Sequence, residues 1–254
     1  MFARIRPGVR AIVESNISPA LGTGDSRRVQ KIAAQALGHA ALAYYDLFNL
    51  PALSQNEIAS MVEIEEPGLS QFQEAYRRGK GIVLVSPHLS SFDLAAQSLI
   101  ARDFPFCFLT LPDQVEGIAF ANRKRTHGGP RVLSTSARDM REAIRFLANG
   151  GILVTGGDHP VRGHGVEVEF LGRPTILPDG SARLAVRTGA ALIVGAVRRE
   201  NKRYKGRMER IEWTRSGDDD ADVRVLTQLT ARFMETNIRL HPEQWHLLRK
   251  LWDE

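Results

Sequence analysis

The 254-residue chain contains a single cysteine, Cys107, so it cannot form an internal disulfide. It lacks the run of about 18 to 20 apolar residues that a membrane-spanning helix requires, and its basic N-terminal segment lacks the apolar core of a secretory signal. Cys107 lies between phenylalanines in an apolar stretch, which indicates a buried core thiol. These absences predict a cytoplasmic protein that is soluble or bound to a membrane surface.

The usual signatures of nucleotide binding are also missing. No Gly-x-Gly-x-x-Gly follows the first predicted strand, and the sequence has no phosphate-binding Gly-Lys-Ser/Thr loop. The basic residues, which give a net charge of +5 at pH 7, form no stripe interleaved with aromatic side chains, so nucleic acid is not an expected partner. The excess positive charge suits an anionic membrane surface or an acidic carrier protein.

The pattern of hydrophobic residues changes near residue 80. The Ala-rich segment 26–49 has helical spacing, whereas short apolar runs alternate with helical patterns from Gly81 onward. Such alternation is typical of an α/β sheet with helices on both faces. We predict one α/β domain over residues 1–254, with a helical layer at 1–80 and a mostly parallel or mixed sheet flanked by helices at 81–254. Strands are predicted at 81–86, 104–111, 131–134, 151–156, 166–170 and 191–197, and further helices at 55–62, 67–79, 91–102, 114–124, 136–149, 179–188 and 222–240.

A histidine and an aspartate, His88 and Asp93, follow the first of these strands. Sites in α/β sheets lie at the carboxyl ends of strands. A carboxylate that accepts the Nδ1 proton of His88 leaves Nε2 free as a base toward a hydroxyl group. The alternative is structural: Ser90 caps the next helix, and Asp93 only satisfies backbone N–H groups.

Three further residues are candidates for substrate contacts. Asp158 follows the strand at 151–156 and two glycines, so its carboxylate is expected at the same edge of the sheet as His88. Arg125 is expected to contact a phosphate or an oxyanion, because a guanidinium offers two donors to such a group. Alternation along 166–170 places Glu167 opposite Val168, where it is either solvated or lines an acceptor site.

A metal-dependent hydrolase is the main alternative function. His88, Asp158, His159 and His164 supply nitrogen and oxygen donors in loops at strand ends, although their spacing matches no standard ligand set.

The segment from His88 to Asp93 resembles the His-x4-Asp block of the lysophospholipid acyltransferase superfamily, with Pro87 where the fuller motif has Asn. More blocks follow in order, and together they resemble the branch that holds the lipid A lauroyl and myristoyl transferases and the phosphatidylinositol mannoside acyltransferases. Lipid A transferases usually have Glu where this chain has Asp93, so the likeness favours the glycolipid-acylating relatives. The additional blocks lie at 125–129, 150–158, 165–174, 180–190 and 241–245.

The resemblance implies an O-acyltransferase that moves a fatty acyl group from acyl-CoA or acyl carrier protein to a hydroxyl of a lipid or glycolipid. It implies His88 as the general base oriented by Asp93, action at the inner face of the cell membrane, and no metal or bound cofactor. Residues expected to bind substrate are Arg125, Asp158, Glu167, Arg173 and Thr175.

Three expectations about the site follow from this implied activity. Because the sequence has no Gly-x-Ser-x-Gly nucleophile elbow, the acceptor hydroxyl is expected to attack the thioester directly. An apolar slot for the acyl chain is expected to start at His88, rimmed by Arg125 and Asp158. The hydrophobic residues around the end of the Ala-rich helix are expected to meet the membrane, namely Leu47, Phe48, Leu50 and Leu53.

Overall fold

A seven-stranded mixed sheet forms the centre of the protein in a computed structural model that describes residues 7–111, 116–127, 129–159 and 165–252. The strand order is β1-β9-β8-β2-β5-β3-β4, and β6 and β7 form a separate antiparallel hairpin. The strands are β1 (Val62–Ile64), β2 (Ile82–Ser86), β3 (Phe106–Thr110), β4 (Arg131–Ser134), β5 (Ile152–Gly156), β6 (Val166–Phe170), β7 (Arg173–Leu177), β8 (Ala191–Glu200) and β9 (Arg203–Arg210).

Helices cover both faces of this sheet. Among the described residues there are nine α-helices and two short 3-10 turns, Leu50–Ala52 and Pro242–Gln244. The helices are α1 (Pro7–Leu21), α2 (Ser26–Asn49), α3 (Gln55–Met61), α4 (Gly68–Arg77), α5 (Phe92–Ile100), α6 (Glu116–Arg125), α7 (Ala137–Ala148), α8 (Gly180–Thr188) and α9 (Asp219–Leu240).

The predicted fold class is confirmed. The pairs β8–β2, β2–β5, β5–β3 and β3–β4 are all parallel. Among the described strands of the main sheet, only the β8–β9 pair is antiparallel. The central strands are apolar except at their last one or two residues, because helices bury both of their faces. The predicted strands and helices lie within a few residues of the observed ones.

Four elements were not predicted: α1, β1, β7 and β9. Strand β9 is hard to recognise from the sequence for two reasons. It contains none of the β-branched residues typical of strands, and charged residues alternate with its buried Tyr204, Gly206 and Met208. Strand β1 pairs with β9 in the main sheet. The segment 1–80 was predicted to be a helical layer. Besides its helices, it supplies one edge strand of the main sheet.

The register of two parallel strands determines which side chains meet at the edge of the sheet. Ser86, the last residue of β2, pairs with Gly156, the last residue of β5. His88 and Asp158 each lie two residues beyond this pair. Since both chains leave the sheet at the same edge, the two side chains are brought together.

The core lies on both faces of the sheet. Cys107 on β3 is fully buried, as predicted, and burial raises the pKa of its thiol to about 11. Leu47 and Leu50 are also buried, so the prediction that they face a membrane is wrong. Across the residues that the structure describes, no helix combines the length and the apolar character that crossing a bilayer requires.

Candidate active site

A histidine–carboxylate pair occupies the carboxyl edge of the sheet. His88 Nδ1 lies 2.6 Å from Asp158 Oδ1. Because an ionised carboxylate only accepts hydrogen bonds, Nδ1 carries the ring proton and Nε2 of neutral His88 is the basic nitrogen. A Cβ added to Gly156 would lie 3.2 Å from His88 Cε1, so this glycine leaves room for the imidazole.

The carboxylate of Asp158 is fully buried and is satisfied by three donors. Besides His88 Nδ1, the backbone N–H of His88 donates to Oδ2 at 2.9 Å and Trp245 Nε1 donates to the same oxygen at 2.8 Å. Burial by itself raises the pKa of Asp158, but the charge of His88 and these hydrogen bonds outweigh it and leave the pKa lowered. Asp158 is thus held ionised, where it orients His88 and cannot reach a substrate.

The pKa of His88 is shifted in the opposite direction. Burial lowers the pKa of the imidazole, but the adjacent charge of Asp158 and the hydrogen bond to it raise it by more, so the net pKa is above the ordinary histidine value. The side chain is 28% exposed, while that of Asp158 is inaccessible. His88 is therefore a strengthened base that still faces an opening.

Asp93 does not have the role that the sequence predicted. Both of its oxygens accept hydrogen bonds from Arg125, whose Nε donates at 2.7 Å and whose Nη2 donates at 3.0 Å. The expectation that Asp93 orients His88 through Nδ1 is corrected, because that nitrogen is bound to Asp158. The Asp93–Arg125 pair nevertheless acts on His88 at longer range, since Asp93 raises the pKa of His88 and Arg125 lowers it.

The start of α5 also differs from the predicted capping arrangement. Ser91, not Ser90, is the N-cap residue; its hydroxyl donates to Asp46 Oδ2 and accepts no hydrogen bond from the first turn of the helix. The hydroxyl of Tyr204 donates to the same carboxylate, which is buried. This network joins α2 and β9 to the loop that carries His88. The signal in the sequence that could have indicated it is an acid, Asp46, at a buried position of the Ala-rich helix.

A C-terminal segment, residues 244–246, holds the histidine loop from the other side. The backbone N–H of His246 donates to the carbonyl of His88 at 3.0 Å, and the N–H of Ser90 donates to the carbonyl of Gln244 at 2.8 Å. His246 Nε2 donates to the Ser90 carbonyl at 2.9 Å. Ser90 has a left-handed φ of 50°, a strained conformation for a residue with a side chain, and these bonds hold it there.

Comparison with known proteins gives the family of the chain. The sequence model of the bacterial lipid A biosynthesis acyltransferases matches residues 1–254. The chain belongs to this family. It is 27% identical to a phosphatidylinositol mannoside acyltransferase of Mycobacterium tuberculosis (strain CDC 1551 / Oshkosh) over 244 residues, which cover 94% of this chain and 76% of the relative. It is 26% identical to that of Mycolicibacterium smegmatis over 240 residues, which cover 84% and 71%.

The family membership makes the protein an acyltransferase enzyme, as the resemblance implied. Several predicted substrate residues of this acyltransferase lie on the β6–β7 hairpin, whose strand β6 packs against α9. Glu167 is exposed on the face of β6 opposite to the one that carries buried Val168. The Arg173 guanidinium lies 5.5 Å from the ring centroid of Trp252, and Thr175 accepts a hydrogen bond from Trp252 Nε1 at 2.8 Å. The described contacts of Arg173 and Thr175 thus join the hairpin to the C-terminus, and substrate binding by these residues stays a prediction.

Two of the donors proposed for a metal-dependent hydrolase, His88 Nδ1 and the Asp158 carboxylate, are engaged within the protein. His88 Nδ1 and both oxygens of Asp158 have N–H or carboxylate partners, as described above. The ring of His159 lies 5.9 Å from that of His88, and His164 lies outside the described residues. In the described ranges, no three His, Cys, Asp or Glu side chains gather as a metal ligand set would.

A narrow apolar cavity lies between the sheet and α5, next to His88. Ser86 and Phe92 line its end nearest the histidine, and the Phe92 ring contacts the imidazole at 5.0 Å between centroids. Two glycines on β8 and β9, Gly195 and Gly206, also line the cavity. The predicted rim of Arg125 and Asp158 is not part of it. The remaining lining is mostly apolar and includes Ile64, Leu84, Ala96, Leu99, Val154 and Met208.

Proposed function

We propose that this acyltransferase moves a fatty acyl group from a thioester to a hydroxyl of a glycolipid, with His88 as the general base. The observation that carries the proposal is the pairing of His88 Nδ1 with buried, ionised Asp158 at the edge of the sheet. A base fixed through one nitrogen and open at the other has the geometry that hydroxyl activation requires. The mycobacterial relatives are phosphatidylinositol mannoside acyltransferases, which supports an acceptor of that type.

The reaction follows from these roles. His88 Nε2 takes the proton of the acceptor hydroxyl while that oxygen attacks the thioester carbonyl carbon. The resulting tetrahedral intermediate collapses, the carbon–sulfur bond breaks, and the protonated His88 returns its proton to the departing thiolate. Asp158 stays ionised throughout and stabilises the imidazolium between the two proton transfers.

Backbone N–H groups at the start of α5 are proposed to stabilise the oxyanion of this intermediate. The Ser91 hydroxyl is directed to Asp46, so the first-turn N–H groups are not capped by it. A helix N-terminus carries partial positive charge and suits an oxyanion. Arg125, held beside this turn by Asp93, adds positive charge at the same edge.

Two of the serines near His88 are engaged elsewhere, which favours direct attack by the acceptor over an acyl-serine intermediate. Ser91 is occupied by Asp46, and the Ser86 hydroxyl donates to the carbonyl of Pro87 at 3.1 Å. Acyl-CoA and acyl carrier protein are both compatible with this mechanism as donors, and neither requires a bound cofactor. Both are cytoplasmic thioesters, so we place the reaction at the inner face of the cell membrane.

The first prediction tests transfer itself. Purified protein given labelled palmitoyl-CoA or palmitoyl acyl carrier protein and a phosphatidylinositol mannoside is expected to yield acylated glycolipid. Without acceptor, it is expected to retain no covalent label and to hydrolyse the thioester slowly, since the attacking oxygen belongs to the acceptor. Mass spectrometry of the intact protein checks for a label. A stable acyl-serine adduct would contradict direct attack, and absence of product with both donors would contradict the proposed function.

The apolar cavity beside His88 is proposed to receive the acyl chain. Gly195 lines it from β8, and a Cβ added there would lie 3.5 Å from Leu84 Cδ1, an ordinary van der Waals distance. The Cβ of an alanine is therefore accommodated at ordinary contact distances, and the atoms of a larger side chain would take up space in the cavity. This makes Gly195 a point at which the length of the slot can be altered.

The second prediction is a change of chain length. Gly195→Val is expected to lower kcat/KM for the longest acyl thioesters by about tenfold or more, because each methylene denied its apolar contact is worth about fourfold in binding. Short-chain thioesters are expected to react at close to the wild-type rate, and Gly195→Ala is expected to be intermediate. The check is kcat/KM across a series of thioesters of increasing length. An equal loss at every length would show that the cavity does not hold the chain.

A further inference from the structure

Four aromatic side chains form an exposed patch where α2 meets α6. This aromatic patch consists of Tyr44, Tyr45, Phe48 and Phe120, whose exposures range from 42% to 64%. Phe48 contacts Tyr44 at 5.9 Å and Phe120 at 5.1 Å between ring centroids, so the rings form a continuous surface across the two helices. Large aromatic side chains left in water in this number indicate a surface that is covered in use.

Two cations lie over the patch. The guanidinium of Arg123 is 5.4 Å, and the ammonium of Lys124 is 5.7 Å, from the centroid of the Phe120 ring. Aromatic rings with cations beside them match the interface of an anionic bilayer, in which rings lie at the level of the headgroups and cations pair with lipid phosphates. A protein partner with the same complementarity would have to present acidic and apolar groups together.

The aromatic patch lies beside the active site. Asp46, in the same turn of α2 as Tyr45 and Phe48, binds the Ser91 hydroxyl at the start of α5. Arg125, at the end of the helix that carries Phe120, binds Asp93 on α5. Both helices of the patch are therefore bonded directly to the segment that follows His88.

We infer that the aromatic patch, with Arg123 and Lys124, is the surface by which the enzyme docks on an anionic lipid bilayer. The inference rests on the proposed function, because docking through this patch would bring His88 to the level at which a lipid acceptor presents its headgroup. The sequence prediction of a membrane-facing surface named this end of α2. Its Phe48 belongs to the aromatic patch, whereas its Leu47 and Leu50 are buried in the core.

The third prediction tests this surface by sedimentation with vesicles. Wild-type protein is expected to bind vesicles of phosphatidylglycerol and phosphatidylcholine at low salt and to bind pure phosphatidylcholine vesicles weakly. Tyr45→Ser combined with Phe48→Ser is expected to lower the partition coefficient by about tenfold or more, because two apolar side chains no longer leave water. Arg123→Ala and Lys124→Ala are each expected to lower it by about fivefold. The matched control is Val225→Ser, which removes an exposed apolar side chain from α9.

The same variants separate docking from catalysis. Transfer to a water-soluble glycoside acceptor is expected to be unchanged in the Tyr45/Phe48 variant, while transfer to acceptor embedded in vesicles falls with the partition coefficient. Sedimentation requires no turnover, so it reports on the patch even if the proposed reaction is wrong. The inference would be overturned if the aromatic and basic variants bound anionic vesicles as strongly as the wild type does, or if the wild type did not bind them. A change in oligomeric state on ultracentrifugation without a change in vesicle binding would overturn it as well, because it would make the patch an interface between copies of the chain.

Discussion

Replacing His88 with alanine is expected to lower kcat for acyl transfer by on the order of a thousandfold, the usual contribution of a positioned general base. The acceptor hydroxyl would then have to lose its proton to water, while the oxyanion contacts and substrate binding remain. The loss is therefore expected in kcat, with little change in KM for either substrate. Steady-state kinetics with the thioester and a glycolipid acceptor provide the measurement.

The alanine variant also leaves the buried carboxylate of Asp158 without one of its donors, which costs stability. His88→Asn controls for this, because its amide nitrogen is as many bonds from Cα as Nδ1 is and can donate to Asp158. It has no basic nitrogen and is expected to be as inactive as His88→Ala while unfolding closer to the wild-type temperature. Substantial transfer by a folded His88→Asn protein would show that the histidine is not the base.

Much of the fold follows from local patterns. Strands that helices bury on both faces are continuous apolar runs, and those at 81–86, 131–134 and 151–156 were located to within a residue. Strand β9 is not predicted because one of its faces carries charged residues. These long side chains can cover apolar surface, as Arg207 does where its guanidinium lies 5.8 Å from the centroid of the Phe233 ring. Pairing with β8 and β1 and packing against α4, not local propensity, make that segment a strand.

The site was predicted less completely than the fold. His88 and Asp158 were both expected at the edge of the sheet, but Asp93 was chosen as the partner of His88 because it is close in sequence. The partner is decided by the pairing of β2 with β5, a contact between residues 70 positions apart. Trp245 was seen only as part of a sequence block, and its bond to Asp158 depends on how the C-terminal segment returns across the histidine loop.

Replacing Asp158 with asparagine is expected to reduce kcat/KM by about 10²- to 10⁴-fold, since an amide can hold His88 in the wrong tautomer and cannot stabilise the imidazolium. The pH profile is expected to move as well. The base must be neutral, so activity is lost as the pH falls through the pKa of His88. Because the charge of Asp158 raises that pKa, the wild-type acid limb is expected above the ordinary value of about 6.5, and that of Asp158→Asn at lower pH.

A milder change at the same carboxylate is Trp245→Phe. It removes the N–H that binds Asp158 Oδ2 but keeps a ring beside Phe170, whose centroid lies 6.4 Å from that of Trp245. A loss of about tenfold in kcat/KM is expected, the effect of one hydrogen bond to a charged group.

Asp93→Asn is the matched comparison for Asp158→Asn, because it removes a charge from the other carboxylate near the histidine. Its bond is to Arg125, and its effect on the pKa of His88 is smaller than that of Asp158. Asp93→Asn is therefore expected to lower activity through a displaced Arg125 and to move the acid limb only slightly. Profiles of log kcat/KM against pH for the two variants and the wild type decide between the carboxylates. A larger shift in Asp93→Asn than in Asp158→Asn would return the orienting role to Asp93.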